Sequence, residues 1–156
     1  MAHVTIEYVI LVPLLISQIF LLPWAASVIM DGWVDSRRTL ALQETASHLG
    51  SSIQQTYLSL NYTTIPAANV TNKLDVPPLI EGYAYTATAT LESASGVKFL
   101  DLTLTFKGVE ISGTASVTLG ENVGWREGYS TFMSNSTSAC LRAEKYGGII
   151  ELYFEP

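Results

Sequence analysis

The sequence predicts an α+β protein in which a long hydrophobic N-terminal α-helix precedes a C-terminal antiparallel β-sandwich or meander. Three observations carry this reading. Tyr8 to Met30 holds no charged residue, helix-spaced apolar positions continue beyond it to Leu60, and from Ile80 apolar and polar residues alternate. The expected organisation is a helix over 1–60, a Pro/Asn/Thr-rich linker over 61–79 and a β-rich head over 80–156.

The chain has 156 residues, enough for one domain of ordinary size plus an extension. Charged residues make up 14% of it and the formal net charge is −6. Soluble domains average about 25% charged residues, and the uncharged N-terminal run explains much of the shortfall. A nucleic-acid binder needs a basic face. Here Arg37-Arg38 is the one adjacent basic pair, so nucleic acid is not an expected partner. The single cysteine, Cys140, cannot close an intrachain disulfide. It reads as a small buried apolar residue, with an intermolecular disulfide as the alternative.

The twenty-three residues from Tyr8 to Met30 would span about 34 Å as a helix, against about 30 Å of bilayer hydrocarbon. Pro13 and Pro23 interrupt its amide donors, which lipid or neighbouring helices tolerate better than water does. Ser17, Gln18, Ala25, Ala26 and Ser27 are small or polar positions of the kind found at helix–helix contacts in membranes. Further on, Leu42, Ala46, Leu49, Ile53, Tyr57 and Leu60 form an apolar stripe at steps of three and four. Arg37, Gln43, Glu44, Ser47, Ser51, Gln54 and Gln55 form the opposite face. A helix from Val4 to Leu60 would be roughly 85 Å long. A small domain cannot bury that length, so part of it is expected to stand in lipid or against other subunits.

Asn61 to Pro78 carries three prolines among Asn and Thr and reads as an extended loop. Strands are expected around Tyr83–Leu91, Leu100–Phe106, Val109–Leu119 and Ile149–Phe154, with a fifth near Thr137–Glu144. Turn signals fall at Ser93-Ala94-Ser95-Gly96, Lys107-Gly108 and Gly120-Glu121-Asn122, and Gly147-Gly148 precedes the last strand.

Three N-glycosylation acceptor patterns begin at Asn61, Asn69 and Asn135, using three of the five asparagines. Glycans there would place the chain from Asn61 onward outside the cell. No enzyme is expected, and no cofactor or metal. His3 and His48 are the only histidines, no metal-protease, nucleophile-elbow, phosphate-loop or CxxC pattern occurs, and the carboxylates are dispersed along strands. Tyr83/Tyr85 and Trp125/Tyr129 could line a ligand patch, or fill a core or interface. Glu7, at the edge of the apolar run, either charges the first helical turn or pairs with a positive group of a neighbouring subunit.

The segment Thr5 to Leu15, TIEYVILVPLL, resembles the N-terminus of type IV pilins, most closely Tad-type pilins and their pilin-like relatives. The shared features are Glu7-Tyr8 at the head of the apolar helix and Pro13-Leu14-Leu15 a few residues on. A β domain with sequons on such a helix looks like archaeal type IV pilins. The resemblance implies a helical filament of identical subunits, with apolar helices in the core and β domains outside. It also implies subunits that wait in the membrane until an assembly machinery extracts them. Glu7 would match the family's carboxylate at the fifth mature position if processing fell between Ala2 and His3; no basic leader ending in Gly is visible. The candidate assembly residues are Glu7, Tyr8, Leu11, Leu14, Leu15, Ile19 and Leu22.

The expected function is therefore a structural subunit of an extracellular, cell-surface pilus, serving adhesion or cell contact. Two other readings are a membrane-anchored surface protein or minor pilin-like component that does not polymerise alone, and a stalked carbohydrate-binding module. The continuation of the apolar stripe to Leu60 favours the filament, because a simple anchor has little use for a second apolar stretch.

Overall fold

A computed structural model describes the backbone of residues 2–155 and the side chains of residues 9–155. The fold is α+β: one long helix, α1 (Ala2–Leu60), and eight strands follow in chain order. The chain divides into two compact units, Met1–Arg37 and Arg38–Pro156, and α1 runs through the boundary.

The helix keeps its assignment through Pro13 and Pro23. Serines and threonines inside it spend their hydroxyls on the preceding turn: Ser36 donates to the carbonyl of Gly32, and Thr45 to that of Ala41, both at 2.8 Å. Each polar group is thereby satisfied without leaving the helix.

In the second unit, β1 (Ala67–Lys73), β7 (Cys140–Tyr146), β8 (Ile149–Glu155) and β5 (Val123–Trp125) form one sheet in the order β1-β7-β8-β5. The other sheet has the order β4-β3-β2-β6 and comprises β2 (Tyr85–Ala94), β3 (Val97–Phe106), β4 (Ser112–Leu119) and β6 (Thr131–Met133). Strands β2, β3 and β4 make the expected meander. The departure from an all-antiparallel arrangement is β5, which runs parallel to β8. Two hairpins close through two-residue turns whose residues have positive φ, Ser95-Gly96 between β2 and β3 and Gly147-Gly148 between β7 and β8. That backbone matches the twist of paired strands and suits glycine.

The segment expected to be a loop between Asn61 and Pro78 contains β1, paired antiparallel along its whole length with β7. Only Ala68 and Val70 face inward, and only half-buried. The remaining Asn, Thr and Lys side chains face water, so the strand lacks the apolar alternation that would mark it.

One core joins both sheets to the C-terminal part of α1. Leu42, Ala46, Leu49, Ile53, Tyr57 and Leu60 are all at most 4% exposed, and they pack with Leu100, Leu102, Leu104, Phe132, Ile150, Leu152 and Phe154. Phe132 of β6 and Phe154 of β8 meet edge to face at 4.8 Å across the sheets. The helix lies close against β4 at Gly113, where a Cβ would come within 2.5 Å of the backbone nitrogen of Gln43 and 2.7 Å of the carbonyl carbon of Leu42. Only glycine permits that approach.

The outer faces of the two sheets differ. The β4-β3-β2 face is a hydroxyl lattice in register: Thr86, Thr105 and Ser112 in one row, Thr88, Thr103 and Thr114 in the next. The β7-β8 face is charged.

Candidate assembly surface

Every described large apolar side chain from Val9 to Met30 is exposed, from 47% at Val12 to 72% at Phe20. Leu11 (54%), Leu14 (54%), Leu15 (52%), Ile19 (66%) and Leu22 (69%) belong to this set but are not set apart within it. The apolar surface circles the helix: Val9, Ile10, Leu11 and Val12 are consecutive, so they point in all directions around the axis. A helix that is apolar all round is stable in lipid or among other helices, not in water. By length and composition the helix is long and apolar enough to cross a membrane. Of the seven assembly candidates, Glu7 and Tyr8 lie outside the described side chains.

Beyond Arg37 the pattern changes. Arg38 pairs with Glu81 at 3.2 Å, and its guanidinium sits 4.9 Å from the centre of the Tyr83 ring. Leu42, one turn on, is the first fully buried residue among the described side chains of the helix. The stripe from Leu42 to Leu60 is thus consumed by the protein's own β unit. It does not supply the second assembly stretch that the spacing suggested and so no longer favours a filament over a simple anchor. What remains for a partner is the surface from Val9 to Met30, with Trp33 (73% exposed) at its end.

The three sequon asparagines are all exposed. Asn61 follows the last helical residue, and its Oδ1 accepts from Asn122 Nδ2 at 2.8 Å. Its own amide nitrogen, the atom a glycan would use, is not the atom engaged there. Asn69 lies in β1 with Thr71 on the same exposed face. Asn135 and Thr137 are exposed just after β6.

The aromatic candidates do not converge on one patch. Tyr85 is fully buried, with its hydroxyl donating to the Pro77 carbonyl at 2.8 Å. Trp125 packs edge-on against Phe154, and Tyr129 against Tyr153.

The charged groups gather on the outer face of β7 and β8. Arg126 reaches Glu144 at 3.1 Å, bonds Glu151, and stacks 4.0 Å from the centre of the Tyr153 ring. Tyr153 in turn donates to Glu144 Oε1 at 2.5 Å. That hydroxyl first, and Arg126 second, hold the Glu144 carboxyl below the usual carboxylate range. Arg142 lies 2.7 Å from Glu155. Burial, followed by the neighbouring Glu155, pushes the Cys140 thiol up, away from the reactive thiolate. Each of these groups is tied to a neighbour, an arrangement that supports the sheet. Among the described residues no three His, Cys, Asp or Glu side chains are placed to hold a metal ion.

Neither a protein family, nor a curated protein, nor a solved structure matches the chain. The architecture itself, a long apolar N-terminal helix followed by a β-rich domain, is compatible with a pilin-like design.

Sequence reasoning missed Lys145 and Asn122. Lys145 faces inward and is 7% exposed. The signal was available in the strand CLRAEKY, where Leu141, Ala143 and Lys145 share one parity. Asn122, which the sequence marks only as a turn residue, accepts from the Tyr57 hydroxyl at 2.7 Å and donates to Asn61 and to the Gly148 carbonyl.

Proposed function

We propose that the chain is a non-catalytic structural subunit of an extracellular pilus filament, polymerising through Val9–Met30 while its glycosylated β unit faces the medium. The observation that supports this most is the exposed, all-round apolar segment on a chain whose β unit already has a finished core of its own. Enclosing the segment among copies would remove on the order of 1,500 Å² of apolar surface from water, tens of kcal/mol at about 25 cal/mol per Å² before entropic costs. Before assembly the same segment would sit in the membrane, and a pilus assembly machinery would transfer it into the fibre. Adhesion or cell contact is the role that fits an exposed, glycan-bearing sheath.

A membrane-anchored surface protein that does not polymerise alone is the second reading. It is favoured by the burial of Leu42–Leu60 in the chain's own core, which leaves an exposed apolar segment about one bilayer long. Negative-stain electron microscopy of the purified protein separates the two. Fibres composed of the chain support the filament; dispersed detergent-bound monomers under all assembly conditions would leave only the anchor.

A further inference from the structure

Tyr146 is the most exposed large hydrophobic side chain among the described residues, at 85%, and Ile149 beside it is 62% exposed. The two are register partners flanking the Gly147-Gly148 turn. Lys145 faces the core, so Tyr146 faces outward, on the face that carries Arg142 and Glu144. On the other side of β7, Ala67 pairs with Tyr146 and Asn69 with Glu144. Asn69 is therefore the diagonal neighbour of Tyr146 on the same outer face. Such neighbours lie about 7–8 Å apart, within reach of long side groups. A shallow depression bounded by Ala67, Asn69, Glu144 and Tyr146 connects them.

Each feature of this corner suits a sugar. Ala67 is small and leaves the ring face open. The Glu144 carboxylate is held by Tyr153 and Arg126. Both the amide of Asn69 and the hydroxyl of Thr71, which an N-glycosylating enzyme must reach, are on the exposed side of the strand. A glycan attached at Asn69 would meet the tyrosine ring as an intramolecular partner, without the entropic cost of free association. The C–H face of a pyranose would cover the ring while its hydroxyls stayed in water. The sequon at Asn135 offers no such platform: the ring beside it, Phe132, is 3% exposed.

We propose that the N-linked glycan at Asn69 folds back onto Tyr146 and Ile149, making Asn69 a site whose sugar is part of the packed structure, whereas the glycan at Asn135 is not. This rests on the glycosylation included in the proposed function.

The test uses the full chain in detergent, carrying Thr63→Ala and Thr137→Ala so that only the Asn69 sequon remains. It is made in cells with and without an oligosaccharyltransferase, and glycopeptide mass spectrometry reads occupancy. The glycan is expected to raise Tm by about 4 °C. Tyr146→Phe should keep that shift and Tyr146→Ser should reduce it to a quarter or less. A companion chain retaining only the Asn135 sequon should show a glycan shift that Tyr146→Ser leaves unchanged. An occupied Asn69 with the same shift in all three Tyr146 forms would overturn the packing and leave glycosylation standing. An Asn69 that stays unmodified in the competent cells would overturn both.

Discussion

The ammonium of Lys145 donates to the carbonyl oxygen of Leu60, the last residue of α1, at 2.7 Å, and to that of Tyr62 at 2.8 Å. The final carbonyls of a helix have no partner within it and carry the negative end of its dipole. A buried cation from β7 meets both needs here.

Lys145→Met keeps most of the side-chain volume but takes the donor from the Leu60 carbonyl and leaves the Tyr62 carbonyl with only the Ile65 N–H, at 3.2 Å. We expect it to destabilise the β unit by roughly 2–4 kcal/mol, read as a lower unfolding midpoint of the detergent-solubilised chain. A midpoint equal to that of the unsubstituted protein would refute the capping role.

Gly113→Ala forces a methyl group against helix backbone that cannot swing aside. A loss of about 2–3 kcal/mol is expected from overpacking. The control is Gly124→Ala in β5, where a Cβ meets nothing within 4 Å; its effect should stay within about 0.5 kcal/mol. Equal effects at the two glycines would contradict the close approach of β4 to α1.

Leu15→Asp or Ile19→Asp places a carboxylate in the surface that a filament must enclose. Either substitution should abolish fibres, because an unpaired charge among apolar helices is far more costly than the contact it replaces. The β unit has its own core and should melt at an unchanged temperature. Fibres of normal appearance from either variant would remove the helix from the polymerisation mechanism.

Burial pushes the Tyr85 hydroxyl up to about 12, from an ordinary value near 10. The neutral form, which donates to Pro77, is the one the fold selects. The stabilisation is complete below about pH 10 and is lost as pH rises from there towards 12. The stability gap between the native chain and Tyr85→Phe should therefore be constant at neutral pH and shrink across that alkaline interval. Ultraviolet titration should show a late-ionising step that is missing in Tyr85→Phe.

The sequence revealed those elements whose patterns are enforced by burial on one side. The helix is legible because Leu42 to Leu60 must face a core every three or four residues. The hairpins are legible because Ser95-Gly96 and Gly147-Gly148 supply positive φ where two strands reverse. Strand β1 was hidden by its position at a sheet edge, where only two side chains need be apolar. The short β5 and β6 were hidden because three residues carry no period. Glycine 113 was visible only as a gap in an alternating strand; nothing local says that a helix passes over it. The partner of the Leu42–Leu60 stripe was equally invisible, since an apolar face looks the same whether its own domain or another subunit covers it.

Strand β8 bonds β7 on one side and β5 on the other, and both precede it in the chain. The sheet is therefore finished by a segment that slots between two neighbours already made. During synthesis the apolar residues Val9 to Met30 emerge from the ribosome long before Ile149 to Glu155 do. The apolar segment is thus available to a bilayer or to other helices before the β unit can close. Lys145, which caps Leu60, sits in β7 and emerges before β8, so the helix end can be capped while the sheet still lacks an inner strand.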